Sequence, residues 1–293
     1  MAMGRCGRAP RSSLPLAWLL LAAAFFPGTL ALRMRPSVPR FESPALDAVE
    51  LAVDAALSSA AGRSIDSLDS TERESVAVAR RLRKRFDAFA RNGDCRRCWL
   101  QVAHCVCDRV EALGDAGAAR NLYVVMHHKE VLLAVDTAKL LLAAYPGHAH
   151  LIVGGLAGQP AEAAMRRALE AREAAVLFPT DDAVSVSDFA SRGTVDVVVI
   201  DGTWSQARKL YRRLPRSDTV SLDDDTVSLL ATGQGRQLRS HPTKWREVST
   251  LSATRHLLNG LGAPTAHRLA EYQDVADAAA RRQLGPPRLR AQP

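Results

Sequence analysis

Two periods of apolar residues divide the chain. From Ser43 to Gly62 and from Ser70 to Ala90 they recur at helical spacing, Ala-rich first and then heavily charged in ARRLRKRFDAFAR. From residue 121 short apolar runs alternate with helical stretches. Runs at Asn121–Met126, Ala149–Val153, Ala175–Phe178 and Val195–Ile200 predict strands. The first is followed by a helix through Leu140, the second by one from Pro160 to Glu173, and the last by one beginning near Trp204. Val195–Ile200 is continuous and rich in β-branched residues, the pattern of a strand covered on both faces. The expectation is an α/β fold, a mainly parallel sheet with helices on both faces. Helical patterns near Leu251–Leu261 and Ala266–Arg281 close the chain, and the tail LGPPRLRAQP is expected to be disordered.

Polar clusters follow three of these strands: Met126-His127-His128-Lys129-Glu130, Phe178-Pro179-Thr180-Asp181-Asp182 and Asp201-Gly202-Thr203-Trp204. In open α/β sheets ligands bind outside the carboxyl ends of strands, so the clusters are expected to line one crevice. A plainer reading stays open for each. His127 and His128 are each compatible with a structural role, and the last tetrad with a capped turn whose Trp204 joins the stripe Ala207, Leu210, Tyr211 and Leu214 in the core.

Charge adds a partner class. The 293 residues carry a net charge of +8 and a pI near 9.6, which favours a polyanionic partner. Much of the surplus is local, because Arg5, Arg8, Arg11, Arg33, Arg35 and Arg40 precede the first acid, Glu42. Residues 1–40 read as a targeting segment, with an apolar stretch from Leu14 to Leu32 broken by Pro15 and Pro27. The absence of acids suits an organelle transit peptide, for a mitochondrion or plastid, with a secretory signal as the alternative. A basic segment, Ala231–Thr250, pairs glycines with Arg236, Arg239, His241, Lys244 and Arg246 and suits a loop on an anion or an RNA backbone. VGGLAGQP, at 153–160, lacks the spacing of a dinucleotide fingerprint and reads as a strand-to-helix loop.

Cys6 lies in the leader, and Cys95, Cys98, Cys105 and Cys107 fall together in CRRCWLQVAHCVC. A C-x2-C pair and a second close pair can supply four thiolates to one structural Zn²⁺. Two disulfides are the alternative, but a chain of this length with no other cysteines is not a disulfide scaffold. Reduced thiols favour an organelle interior over secretion. The resulting division is 1–40 targeting segment, 41–92 helical region, 93–118 zinc knuckle, 119–284 α/β domain and 285–293 tail.

DGTW after an apolar strand resembles the signature of the DTW-domain family, tRNA-uridine aminocarboxypropyltransferases, and other landmarks follow in that family's order. The cysteine cluster resembles its C-x2-C and C-x-C knuckle, although Trp99-Leu100 stand where the family has Arg-Pro. MHHKEVLLAVDTAKLL is similar to its His-x-x-Glu segment and downstream Asn-Thr-Gly, here His127, Glu130 and Asp136-Thr137-Ala138. LFPTDDA is similar to Leu-Phe-Pro-Ser. VSTLSA resembles Ser-Thr-x-Glu-Ala, with Ser252 in place of the glutamate. The resemblance covers roughly residues 90 to 262.

It implies a fold related to the knotted SPOUT methyltransferases, and transfer of the 3-amino-3-carboxypropyl group of S-adenosylmethionine to N3 of a uridine in tRNA. On the matching positions it implies contacts to substrate or cofactor by His127, Glu130, Thr137, Phe178, Pro179, Gly202, Thr203, Trp204, Arg208, Arg239, Ser249 and Thr250. Asp201 is then the best candidate base, being held rigidly at a strand end; a helix N-terminal acid is the alternative role. Trp204 can stack on a base or pack in the core. Two rival functions stay open: an RNA methyltransferase of the knotted class, and a zinc-dependent RNA-binding module without catalysis.

Overall fold

In the computed structural model, residues 42–233 and 248–285 are described, so Arg236, Arg239, His241, Lys244 and Arg246 lie outside the described residues, as do the leader up to Phe41 and the tail from residue 286. Two helices come first, α1 (Pro44–Ser59) and α2 (Ser70–Asn92). Asp69 and Glu72 form a capping box at the start of α2, and Gly93 ends it in the left-handed region at φ 67°. Its apolar stripe, Val76, Ala79, Leu82, Phe86 and Phe89, is buried. The knuckle follows, with Trp99 left-handed at φ 58° and closed by the Trp99 amide donating to Cys95 O at 2.8 Å. Trp99 and Leu100 are buried, so the departure from Arg-Pro has joined the core.

Among the described residues the α/β unit contributes β1 (Ala119–His127), α3 (Lys139–Ala144), β2 (Ala149–Gly154), α4 (Pro160–Glu170), β3 (Ala174–Leu177), β4 (Val184–Ser185), α5 (Val186–Ala190), β5 (Val195–Asp201), α6 (Trp204–Tyr211), β6 (Asp218–Ser221), α7 (Asp224–Gly233), α8 (Thr250–Gly260) and α9 (Arg268–Leu284). All six strands pair in parallel, in the order β2-β1-β5-β3-β6-β4. The expected α/β class is therefore what the chain adopts.

Alternation along the strands divides the core. Leu122, Val124, Met126, Val197 and Val199 face α1, α2, the knuckle, α3, α8 and α9. Tyr123, Val125, Ile152, Val176, Val198 and Ile200 face α4 and α6, against Met165, Leu169, Ala207 and Leu210. Both faces of β5 are covered, which is why apolar residues run unbroken from Val197 to Ile200, while the buried Asp196 near its start is bound by Arg120 and Asn121.

Three details differ from the sequence expectation. No helix runs from the end of β1 to Leu140. Turns occupy that stretch, and α3 begins only at Lys139, because Arg85 of α2 binds the loop carbonyls of Lys129 (2.8 Å) and Val131 (2.7 Å). β4 and β6 were not foreseen: each is too short to show a period, and they pair with each other at the sheet edge. Helix ends shift by a few residues, α4 stopping at Glu170 rather than Glu173 while α2 runs on to Asn92 and α9 to Leu284.

Candidate functional site

The sheet order brings the three polar clusters together. β1, β5 and β3 are neighbours, so their carboxyl ends, carrying His127, Asp201 and Phe178, lie side by side. Met126 is in register with Asp201, and His127 with Gly154 of β2. The crevice expectation is refined by the strand period. Asp201 belongs with Val197 and Val199 on the α8 side, whereas His127 and Phe178 belong with the opposite core. The candidate site thus straddles the edge of the sheet.

Gly202 joins the halves. Its φ is +152°, and an added Cβ would lie 3.0 Å from Gln206 Oε1 and 3.3 Å from His127 Cβ. Only glycine fits both the backbone and the space. Thr203 caps α6 in a capping box: its amide donates to Gln206 Oε1 at 2.7 Å, and its hydroxyl accepts from the Gln206 amide at 3.4 Å. The capped turn is therefore real, and it occupies the Thr203 hydroxyl. Trp204 is not core; 43% of it is exposed. It meets the edge of Phe178, which stacks on Tyr211 at 4.5 Å. Pro179, Asp181, Asp182 and Arg208 are exposed around this aromatic group.

His127 is held as a neutral imidazole. Burial lowers its pKa, and Lys129, Lys209 and Arg213 add repulsion. Its Nδ1 accepts from the Lys129 amide at 3.2 Å, so Nε2 carries the proton and is a donor. The neighbouring His128 ring lies 4.3 Å away, and burial first, then His127, pushes it down to about 4. Arg81 Nη1 donates to His128 Nε2 at 3.1 Å. Glu130 is buried, its amide donating to His127 O at 2.8 Å. The charged run of α2 that carries Arg81 and Arg85 reads in the sequence as a solvated face or an RNA-contacting surface, with no local sign that Arg85 turns onto this loop or that Arg81 meets His128.

On the other side, Asp201 is 8% exposed and Asp136 4%. Burial first, and then the Asp201 charge, raise Asp136 well above the usual carboxylate range. Thr137 is half-buried beside it. Thr250 Oγ1 reaches Ile200 O at 3.5 Å, bringing the start of α8 to the end of β5. Ser249 caps α8, accepting from the Ser252 amide at 3.1 Å, and donates to Ser252 Oγ at 2.9 Å. Ser252, where the resemblance expects glutamate, occupies the third position of this helix, the place of the acid in a capping box. Its substitution alters a cap, and the Ser252 hydroxyl donates to Gln273 Oε1 at 3.2 Å.

The four knuckle cysteines are free, and their Sγ atoms all lie within 4.8 Å of one another. Cys95 and Cys107 are 3.5 Å apart, Cys98 and Cys105 3.7 Å. Tetrahedral coordination at about 2.3 Å requires sulfurs about 3.8 Å apart, so this set can hold a metal ion. The disulfide alternative is not what the chain adopts.

Among the described residues no helix is long and apolar enough to cross a membrane. No solved structure matches the chain. It is 27% identical over 158 residues to the tRNA-uridine aminocarboxypropyltransferase 2 of Drosophila melanogaster, an alignment spanning 53% of this chain and 61% of that protein. The sequence model of the DTW domain matches residues 92–279, well over half of the chain and all of the site from Cys95 to Gln273, and the chain belongs to the DTW domain family.

Proposed function

We propose that this protein transfers the 3-amino-3-carboxypropyl group of S-adenosylmethionine to N3 of a uridine in tRNA. The observation that carries the reading is Asp201, a carboxylate fixed at the end of the central strand β5 beside an exposed aromatic ring and a neutral histidine donor, in a chain of this family. The relative's name supports the substrate class.

The donor set fits a sulfonium nucleoside and a base. Trp204 offers a ring face, His127 Nε2–H a donor, and Ser249 and Thr250 lie beside Asp201 at the start of α8. S-adenosylmethionine supplies an electrophilic propyl carbon. Asp201 takes the N3 proton as N3 forms its bond to that carbon, the carbon–sulfur bond breaks onto sulfur, and the proton later passes to solvent. Choice of the propyl carbon over the methyl is a matter of alignment, which a rigid strand end provides.

The cation rim supports RNA. Lys129, Lys209 and Arg213 lie near enough to His127 to depress it, and Arg208 on α6 and Arg212 just after it are exposed. The ion in the knuckle is Zn²⁺ in this reading, since four thiolates in tetrahedral spacing suit it. An organelle is the compartment supported by the acid-free leader and the unpaired thiols; residues 1–41 fused to a fluorescent protein test it.

The deciding experiment incubates the full chain with tRNA and S-adenosylmethionine labelled in the propyl or the methyl carbon, followed by mass analysis of nucleosides. Added propyl label is expected, and Asp201→Asn should lower turnover about a hundredfold or more with tRNA affinity kept. Added methyl label would make it a methyltransferase. No label, with tRNA still bound, would leave a binding module.

A further inference from the structure

Helix α2 lies across the carboxyl edge of the sheet. Its Ser75 hydroxyl accepts the Ala157 amide at 2.9 Å in the loop after β2, and Glu74 binds Arg213, just after α6, at 2.6 Å. Arg81 reaches His128 at 3.1 Å, and Arg85 the carbonyls of Lys129 and Val131. One face of the helix is thus committed to the core and one flank to the candidate site. The face left to solvent carries Arg73, Arg80, Lys84 and Arg91, all exposed, at steps of seven, four and seven residues. Those steps are close to two, one and two turns of about 3.6 residues, so the four cations fall on one line about 27 Å long. Acids near the helix are engaged elsewhere: Glu72 pairs with Arg63 at 2.8 Å, and Glu50 with Arg83 at 3.3 Å and Arg96 at 2.9 Å. Among the described residues Arg80, Lys84 and Arg91 have no ion-pair partner, Arg73 gives one hydrogen bond to Leu68 O at 2.9 Å, and Asp87 is the acid on this face.

We propose that this face of α2 is a docking surface for the sugar–phosphate backbone of the substrate tRNA, away from the nucleotide that is modified. Like charges four residues apart, as at Arg80 and Lys84, disfavour a helix in water, and a polyanion laid along the line offsets them. The line runs on into cations at the site itself, through Arg81 beside His128, the exposed Lys129, and Arg213 bound to Glu74, so a backbone held on α2 leads to the crevice. Phosphate contacts orient an RNA without reading it, which leaves the choice of uridine to the crevice. An anionic membrane suits the face less well. A helix that lies on lipid inserts an apolar flank, and the large apolar side chains exposed among the described residues, Leu51, Ile65, Val102, Trp204 and Leu284, are all outside α2. But for its last residue, α2 also precedes the matched family region, so the surface adds to what that domain carries. The inference rests on the transferase reading only for the choice of tRNA as the polyanion.

The test measures binding of the full chain to tRNA without S-adenosylmethionine, by fluorescence anisotropy over a series of salt concentrations. Arg80→Gln, Lys84→Gln and Arg91→Gln stand at exposed helical positions where Gln keeps the helix. Each should weaken binding about three- to tenfold and lower the slope of log K against log salt by about one, and the triple variant should weaken it about a hundredfold or more. Asp87→Asn should act in the opposite sense, tightening binding about two- to threefold. Arg172→Gln is the control: that arginine is exposed just before β3, at the amino edge of the sheet, and its loss should change neither affinity nor slope. Equal effects at Arg172 and on α2 would reduce the result to net charge and overturn the surface. So would α2 variants that keep the parent melting temperature and bind like the parent, or a parent that binds no tRNA. If the triple variant does not fold, the single variants and Asp87→Asn still decide. Competition with vesicles of phosphatidylserine and phosphatidylcholine settles the partner: tRNA should hold the chain against them, and vesicles that displace tRNA through the same residues would make the face a membrane surface and overturn the RNA assignment. A parent that binds tRNA with this salt dependence yet transfers no propyl group would sink the transferase reading and leave the surface standing; one that transfers the group while the α2 variants bind unchanged would sink the surface alone.

Discussion

Trp204 meets Phe178 edge to face, with ring centroids 6.2 Å apart and planes at 60°, and keeps 43% of its surface open. A ring held through a single T-shaped contact and 43% exposed keeps a face open to a ligand. Trp204→Ala should therefore weaken binding of tRNA or S-adenosylmethionine by about 1–3 kcal/mol, a loss of roughly five- to 150-fold, as removal of a base-stacking ring does. Stability should change by under about 1 kcal/mol. Dissociation constants and melting temperature, measured together, check it; a large melting shift with unchanged affinity would assign the ring to packing.

Gly202→Ala should cost about 1–3 kcal/mol and impair turnover, because the residue sits at φ +152° and its Cβ would press on His127 and Gln206. Gly62→Ala is the control. That glycine is also at positive φ, at +76°, but has nothing within 4 Å, so it should cost less and leave turnover intact. Urea unfolding of both variants separates backbone strain from crowding.

His128 gives the fold a pH dependence. Its folded value is about 4 against 6.5 for the free side chain, so the unfolded chain takes up the proton first as pH falls. Stability from the neutral ring is complete above about 6.5 and is lost progressively toward 4. His128→Asn should flatten the stability profile over that interval, as read from urea midpoints at a series of pH values.

Reduced protein should contain one zinc per chain by elemental analysis, and chelation or Cys98→Ser should lower the melting temperature by several degrees. The knuckle is continuous with the core through Trp99 and Leu100, so loosening it should also raise hydrogen exchange in α3 and α9, which share that core. Metal-free protein with an unchanged melting temperature would show that the four thiols hold nothing structural.

The sequence determined what depends on local chemistry and period. Val195–Ile200 announced a doubly covered strand because apolar side chains fall on both its faces, and Asp201-Gly202-Thr203-Trp204 announced a capped turn because a hydroxyl there can satisfy a free amide of a first helical turn. The cysteine spacing announced a metal-binding set for the same reason, since the ligands are close in sequence. Tertiary structure decided what depends on elements distant in sequence. That His127, Asp201 and Phe178 are neighbours follows from the strand order β1-β5-β3, which no local pattern encodes. That Trp204 is open rather than buried was undecidable from a stripe it shares with Leu210. The contacts of Arg85 were hidden because they lie more than forty positions away, on the 128–131 loop, and form only once the chain has folded α2 against the end of β1.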